Sequence, residues 1–323
     1  MKLETGKLDS ELLKKIVFGK ITYRSEDVSV RPGIGEDCAV MDFGDHDCIM
    51  STDPISSAVS DIGRLAIHIT CNDIASNGVQ PLGIMLAVML PEGTTDEDVE
   101  HIMGQAAQTA AEVKVEIIGG HTEITPAVKQ PVIVSTAIGK ALKGVSQSGN
   151  DMVPGDFIMM TKAVGLEGSG IIASDYEEQL SSVLSAKELA RAKSFLELVS
   201  VVPEGITAGS IGTHGMHDIT EGGILGAVWE MCQISGRGAQ VWEHEIPIEP
   251  ETVKICDHYE IDPLRLISSG SMVIIVPKEK KEQMEKAMAE AGVACSIIGR
   301  IEEADFGIRL LKNGAPEAGA PDS

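Results

Sequence analysis

Apolar and polar residues alternate over CAVMDF (38–43) and DCIMSTD (47–53), the period-two pattern of half-buried strands, and GDHD between them supplies a turn. DIGRLAIHITCNDIASNG then takes up helical spacing, with Asp61 placed to cap it and Gly78 to stop it. The apolar run LGIMLAVML (82–90), bounded by Pro81 and Pro91, predicts a buried strand. Thr94 and Thr95 precede DEDVEHIMGQAAQTAAEV, an amphipathic helix whose acidic first turn suits the helix dipole. VEIIGG and VIVSTAIG predict two more strands, with GGHTE as a turn after the first. The opening MKLETGKLDSELLKKIVFGK has the pattern of an amphipathic helix.

KGVSQSGNDMVPGD (143–156) is polar and rich in Gly and Ser, which places a domain boundary there and predicts domains over 1–145 and 146–323. A chain of 323 residues is long for one hydrophobic core. The second half repeats the mixture, with strands at FIMMTKAVG, SMVIIV and VACSIIGR and helices near 185–198, 222–234 and 278–291. The tail NGAPEAGAPDS reads as a flexible end.

Charge narrows the partners. With 49 acidic against 26 basic residues the net charge is -23, which repels nucleic acid and anionic membranes, and no basic patch offsets it. An anionic substrate would need a metal ion or a local basic cluster. The apolar runs are too short for a bilayer, and the acids among the bases at the amino terminus do not fit a signal peptide. Six scattered cysteines lack zinc-site spacing and suit a reducing cytoplasm.

Candidate chemistry lies where acids or amides meet glycine at the end of an apolar segment: Asp37 in GIGEDCAV, Asp53 in STD, the pair Asn72 and Asp73, His121 and Glu123 in GGHTE, and Asp218, Thr220 and Glu221 in HDITEGG. Glycines allow close backbone approach to phosphate, yet adjacent carboxylates repel it unless a cation lies between. Oxygen ligands of this kind suit Mg2+. Single aspartates at strand ends are more often turn formers or caps, and Asn72 and Asp73 on a largely apolar helix are either a satisfied polar pair or a site. AIGK (137–140) lacks the glycine and hydroxyl of a P-loop. GLEGSGIIA holds G-x-G-x-x-A at Gly168, Gly170 and Ala173, but no second strand ending in an acid follows, so it reads as a Gly-rich turn that packs closely or presents N–H groups. No G-x-S-x-G elbow is present.

Taken in order, GIGEDCAV, STD, NDIASNGVQPLG, GGHTE, TKAVG and GMHDITEGGILGAVWEM resemble the aminoimidazole ribonucleotide (AIR) synthetase, or PurM-like, superfamily over roughly residues 30–312, with HypE-type hydrogenase maturation proteins nearest in motif. The resemblance implies two α+β domains, ATP and Mg2+ as cofactors, a small-molecule substrate and a homodimer joined through the amino-terminal sheets. It assigns Asp37, Asp53, Asp73 and Asp218 to metal, Asp73 and Asp218 also to catalysis, and Asp37, Asn72, Gly119, Gly120, His121, Thr122, Lys162 and Thr220 to cofactor binding. The implied activity is ATP-dependent activation of an amide or similar oxygen on an external substrate. A HypE-like carbamoyl dehydratase with a maturation-protein partner and a non-catalytic nucleotide binder are the alternatives. Departures include Ser269 in DPLRLISSG, where the HypE motif carries Glu, Cys295 as the last cysteine, and His121 where relatives often have Asp. The absence of a cysteine before GIGEDC disfavours selenophosphate synthetase.

Overall fold

The computed structural model describes residues 3, 6, 8–56, 58–147 and 151–312. The tail at 313–323 and three residues of the expected boundary, 148–150, lie outside them. A short helix α1 (Ser10–Ile16), capped by Asp9, is all that becomes α-helical of the opening pattern among the described residues. Strand β1 (Val28–Val30) follows, and the predicted hairpin forms as β2 (Ala39–Asp42) and β3 (His46–Ile55), antiparallel.

Helix α2 (Ile62–Ser76) is buried along its length except at Arg64. It packs on β3 and on α3 (Asp96–Val113), whose start carries a Thr95–Asp98 capping box. Strands β4 (Pro81–Leu90), β5 (Glu116–Ile124) and β6 (Val132–Leu142) complete a six-stranded sheet in the order β1-β2-β3-β6-β4-β5, with β4 and β5 parallel. GGHTE is therefore not a turn: residues 119–123 continue β5 and pair with β4. A Cβ on Gly120 would lie 1.9 Å from the Leu86 carbonyl oxygen, so glycine lets the two strands approach there.

The second sheet draws on β7 (Phe157–Thr161), β8 (Gly215–Asp218), β9 (Gly238–Trp242), β10 (Met272–Val276), β11 (Cys295–Glu302) and β12 (Ile308–Leu311), in the order β12-β9-β11-β7-β10-β8. Its helices are α4 (Leu166–Asp175), α5 (Glu177–Leu180), α6 (Ala186–Ser194), α7 (Val202–Ile211), α8 (Gly223–Ser235), α9 (Pro250–Tyr259) and α10 (Lys281–Glu290). GLEGSGIIA is a helix start rather than a turn alone: Gly165, at φ +73°, precedes α4. Apolar side chains of α8 cover one face of this sheet, and those of α7 and α10 the other.

The two halves meet along α2, which touches α7 and β8. A Cβ on Gly205 of α7 would come within 2.2 Å of the Ala75 carbonyl oxygen, so backbone packs on backbone at this seam. A helix buried on every side must satisfy its polar groups internally. Asn72 does so by donating its side-chain amide to the Val199 carbonyl and accepting from the Val201 N–H, both at 2.8 Å. Among the described residues no helix is long and apolar enough to cross a membrane.

Candidate active site: an acidic cleft between the two halves

The loop at 33–38 leaves β1 and lies against α8. Gly35 is at φ +78°, and a Cβ there would come within 2.8 Å of the Ile234 side chain and 3.0 Å of the Glu230 carbonyl oxygen. Glycine is thus required by both backbone angle and contact, and the loop carries Asp37 to the end of β8. There His217 Nε2 lies 3.2 Å from Asp37 Oδ1 and 3.2 Å from Glu230 Oε2, while its Nδ1 donates to the Asp218 carbonyl oxygen at 2.5 Å. Burial opposes charge on His217, but Asp37, Glu230 and Asp218 outweigh it and push its pKa up to about 10. The imidazolium ties the loop to the second half.

Asp73 enters from α2, where the Ser51 hydroxyl of β3 donates to its Oδ2 and the Cys38 thiol donates to its carbonyl oxygen at 3.2 Å. Burial, then the charges of Asp218, Asp53 and Asp37, raise its pKa well above the ordinary carboxylate range. Asp53 on β3 and Asp218 at the end of β8 complete the group, and Asp53 Oδ2 is buried without a hydrogen-bond partner among the described residues.

These side chains line one cleft of about 500 Å³. Its described lining includes eight Asp and Glu side chains and no lysine or arginine. The arrangement fits a hard divalent cation: oxygen donors converge, one has no partner, and Asp73 is driven to hold a proton when no positive charge offsets its neighbours. Asp37, His217 and Asp218 have atoms within 4.8 Å of one another, and with His217 protonated it is the carboxylates that are left to hold a cation.

Asp37, Asp53, Asp73, Asp218 and Thr220 are brought together here. Asn72 instead faces the 199–201 segment. Gly119, Gly120, His121 and Thr122 sit on exposed β5 at the sheet edge, and none lines the cleft within one chain. Lys162 is also elsewhere: its Nζ donates to the carbonyls of Leu198, Ser200 and Gly270 at 3.0, 2.6 and 2.8 Å and pairs with Glu204 at 2.6 Å. Sequence reasoning did not single out His217, Glu230 or Glu167 as site residues, though all three line the cleft. The only signal for His217 is its place beside Asp218.

The chain belongs to the AIR synthase related protein family: its N-terminal domain matches residues 35–141 and its C-terminal domain residues 153–310. It is 32% identical over 309 residues to a putative hydrogenase expression/formation protein of Methanocaldococcus jannaschii, covering 91% of this chain and 88% of the relative. It is 27% identical over 251 residues to the carbamoyl dehydratase HypE of Rhodobacter capsulatus, covering 76% and 72%. Among solved structures, one from a HypE–HypF complex superposes with a TM-score of 0.77 at 24% identity over 96% of this chain and 99% of that one. HypE in complex with ATP superposes with a TM-score of 0.70 at 22% identity, covering 95% and 92%. The PurM-like fold, two α+β units with mixed sheets, is thereby shown.

Proposed function

We propose that this protein is an ATP- and Mg2+-dependent enzyme that transfers a phosphoryl group to the oxygen of an amide or carbamoyl group on a small substrate. The observation that carries the reading is the convergence of Asp37, Asp53, Asp73 and Asp218 in a cleft whose described lining has no lysine or arginine. Nucleotide phosphates can enter such a site only with cations. Bound there, Mg2+ would neutralise phosphate charge and polarise the transferred group. Asp73 and Asp218 would hold it from opposite halves of the chain, Asp37 would be positioned by the His217 imidazolium, and Thr220 offers a hydroxyl to the phosphates. The names of the relatives, a carbamoyl dehydratase and an ATP-bound HypE, support the amide oxygen and the nucleotide.

A homodimer joined through the first sheet belongs to this reading. Leu82, Met85, Ile118 and Ile124 of β4 and β5 are exposed, an apolar surface that suits a second copy. Gly119 to Thr122 lie on the same edge, so they would contribute to a nucleotide site only through that second copy. The HypE–HypF structure supports a maturation-protein partner as well. Six free cysteines, four of them buried, suit the cytoplasm.

The test is ADP release from Mg-ATP across primary amides and carbamoyl compounds, N-acetyl-S-carbamoylcysteine included. Stimulation by a member of this class supports the reading. Nucleotide binding without turnover, with or without these compounds, would instead favour a non-catalytic relative.

A further inference from the structure

Among the described buried acids outside the four cleft aspartates, all but one have a partner that accounts for them. Glu204 pairs with Lys162, Glu251 with Arg191 and Asp156 with His214, and Asp47 accepts from the Gly144 N–H. The exception is Glu167. It is only 4% exposed, and its Oε2 has no hydrogen-bond partner among the described residues. The charged groups acting on it, Glu221 and Asp218, are themselves acidic. Burying a carboxyl in this way is unfavourable for folding, and Ser269 offsets only part of the cost.

Its backbone is nevertheless held firmly in place. The Gly165 N–H donates to Ser268 Oγ at 2.6 Å, and the Gly168 N–H donates to the Ile267 carbonyl at 3.1 Å. A Cβ on Gly168 would sit 2.6 Å from the Leu266 side chain, so the first turn of α4 is pressed onto the 266–269 segment. This fixes Glu167 in the wall of the cleft, with Asp218, Thr220 and Ser269 in the same lining.

We propose that Glu167 is a catalytic residue of this site, the one that takes a proton from the phosphoryl acceptor. The assignment rests on the phosphoryl-transfer reading above. With a primary amide, Glu167 removes an N–H proton as the amide oxygen bonds to the γ-phosphorus and the bond from that phosphorus to the ADP oxygen breaks. Glu167 passes the proton to solvent. It then takes the second N–H proton as the C–O bond breaks and phosphate leaves. The sum is amide plus ATP giving nitrile, ADP, phosphate and one proton. Burial pushes its pKa up to about 7, with Ser269 partly opposing and Glu221 and Asp218 adding, so at neutral pH it can both accept and release a proton.

The experiment is single-turnover ADP formation by the full chain with Mg-ATP, in water alone and with N-acetyl-S-carbamoylcysteine. Glu167→Gln is expected to bind Mg-ATP within about threefold of the native protein and to lose about 100-fold or more in rate. Glu167→Asp should recover part of that loss. The native rate should rise with pH through an inflection that Glu167→Gln lacks. Rates within threefold of native, with the inflection retained, would overturn the proposal. If Glu167→Gln does not fold, an unchanged rate and profile in Glu167→Asp would overturn it equally. Glu167-dependent hydrolysis by water with no stimulation by the carbamoyl probe would uphold the proton acceptor while rejecting the amide reading.

Discussion

Asn72 joins the two halves of the chain by a pair of 2.8 Å hydrogen bonds, giving its side-chain N–H to Val199 and accepting the N–H of Val201. The residue beside it, Asp73, faces the acidic cleft. One turn of α2 thus carries both the seam and a site carboxylate. Asn72→Ala would leave a buried carbonyl and a buried N–H unpaired, and is expected to destabilise the protein by about 3 kcal/mol. Urea unfolding measures this. A change below about 0.5 kcal/mol would show that the seam does not depend on this pair.

The family resemblance assigns Lys162 to nucleotide binding, but its ammonium is engaged by three carbonyls and Glu204. Lys162→Met strands the buried Glu204 carboxyl and is expected to cost roughly 3 kcal/mol. Mg-ATP affinity of the folded variant should stay within about threefold. Calorimetry that finds native stability but lost nucleotide binding would return Lys162 to the ligand set.

Glu167 also sets a pH dependence of stability. Its pKa in the folded state, about 7, is above the ordinary 4.5, so the stability linked to its proton is fully present below about pH 4.5 and is lost as pH rises through 7. Glu167→Gln lacks this loss. Relative to the native protein it should gain up to about 3 kcal/mol between pH 4.5 and pH 8, read by urea unfolding in EDTA. A pH-independent difference would show that Glu167 does not titrate across this range.

Much of the first half was legible because its elements are long and periodic. The hairpin around GDHD and the helix Asp96–Val113 fall where the alternation and the Thr95 cap place them. Strand β8 was missed because its four residues, Gly215 to Asp218, are all buried and so lack the alternation of a one-sided strand. Aspartates 37, 53, 73 and 218 stood out as acids at the ends of apolar segments, and they do meet in one cleft. The role of Asn72 was hidden because its partners are 127 and 129 residues away. Glu167 lies in a glycine-rich stretch, and no local pattern reports that its carboxyl is buried without an opposite charge.

On the proposed function, the cleft admits nucleotide phosphates only through a cation held by its aspartates. Isothermal calorimetry of ATP binding, with Mg2+ and with EDTA, on the native protein and Asp73→Asn tests it most directly. The expected result is Mg2+-dependent binding by the native protein that weakens by about tenfold or more in EDTA and in a folded Asp73→Asn variant, a loss of about 1.4 kcal/mol or more. Equal ATP affinity with and without Mg2+, unaffected by Asp73→Asn, would contradict it.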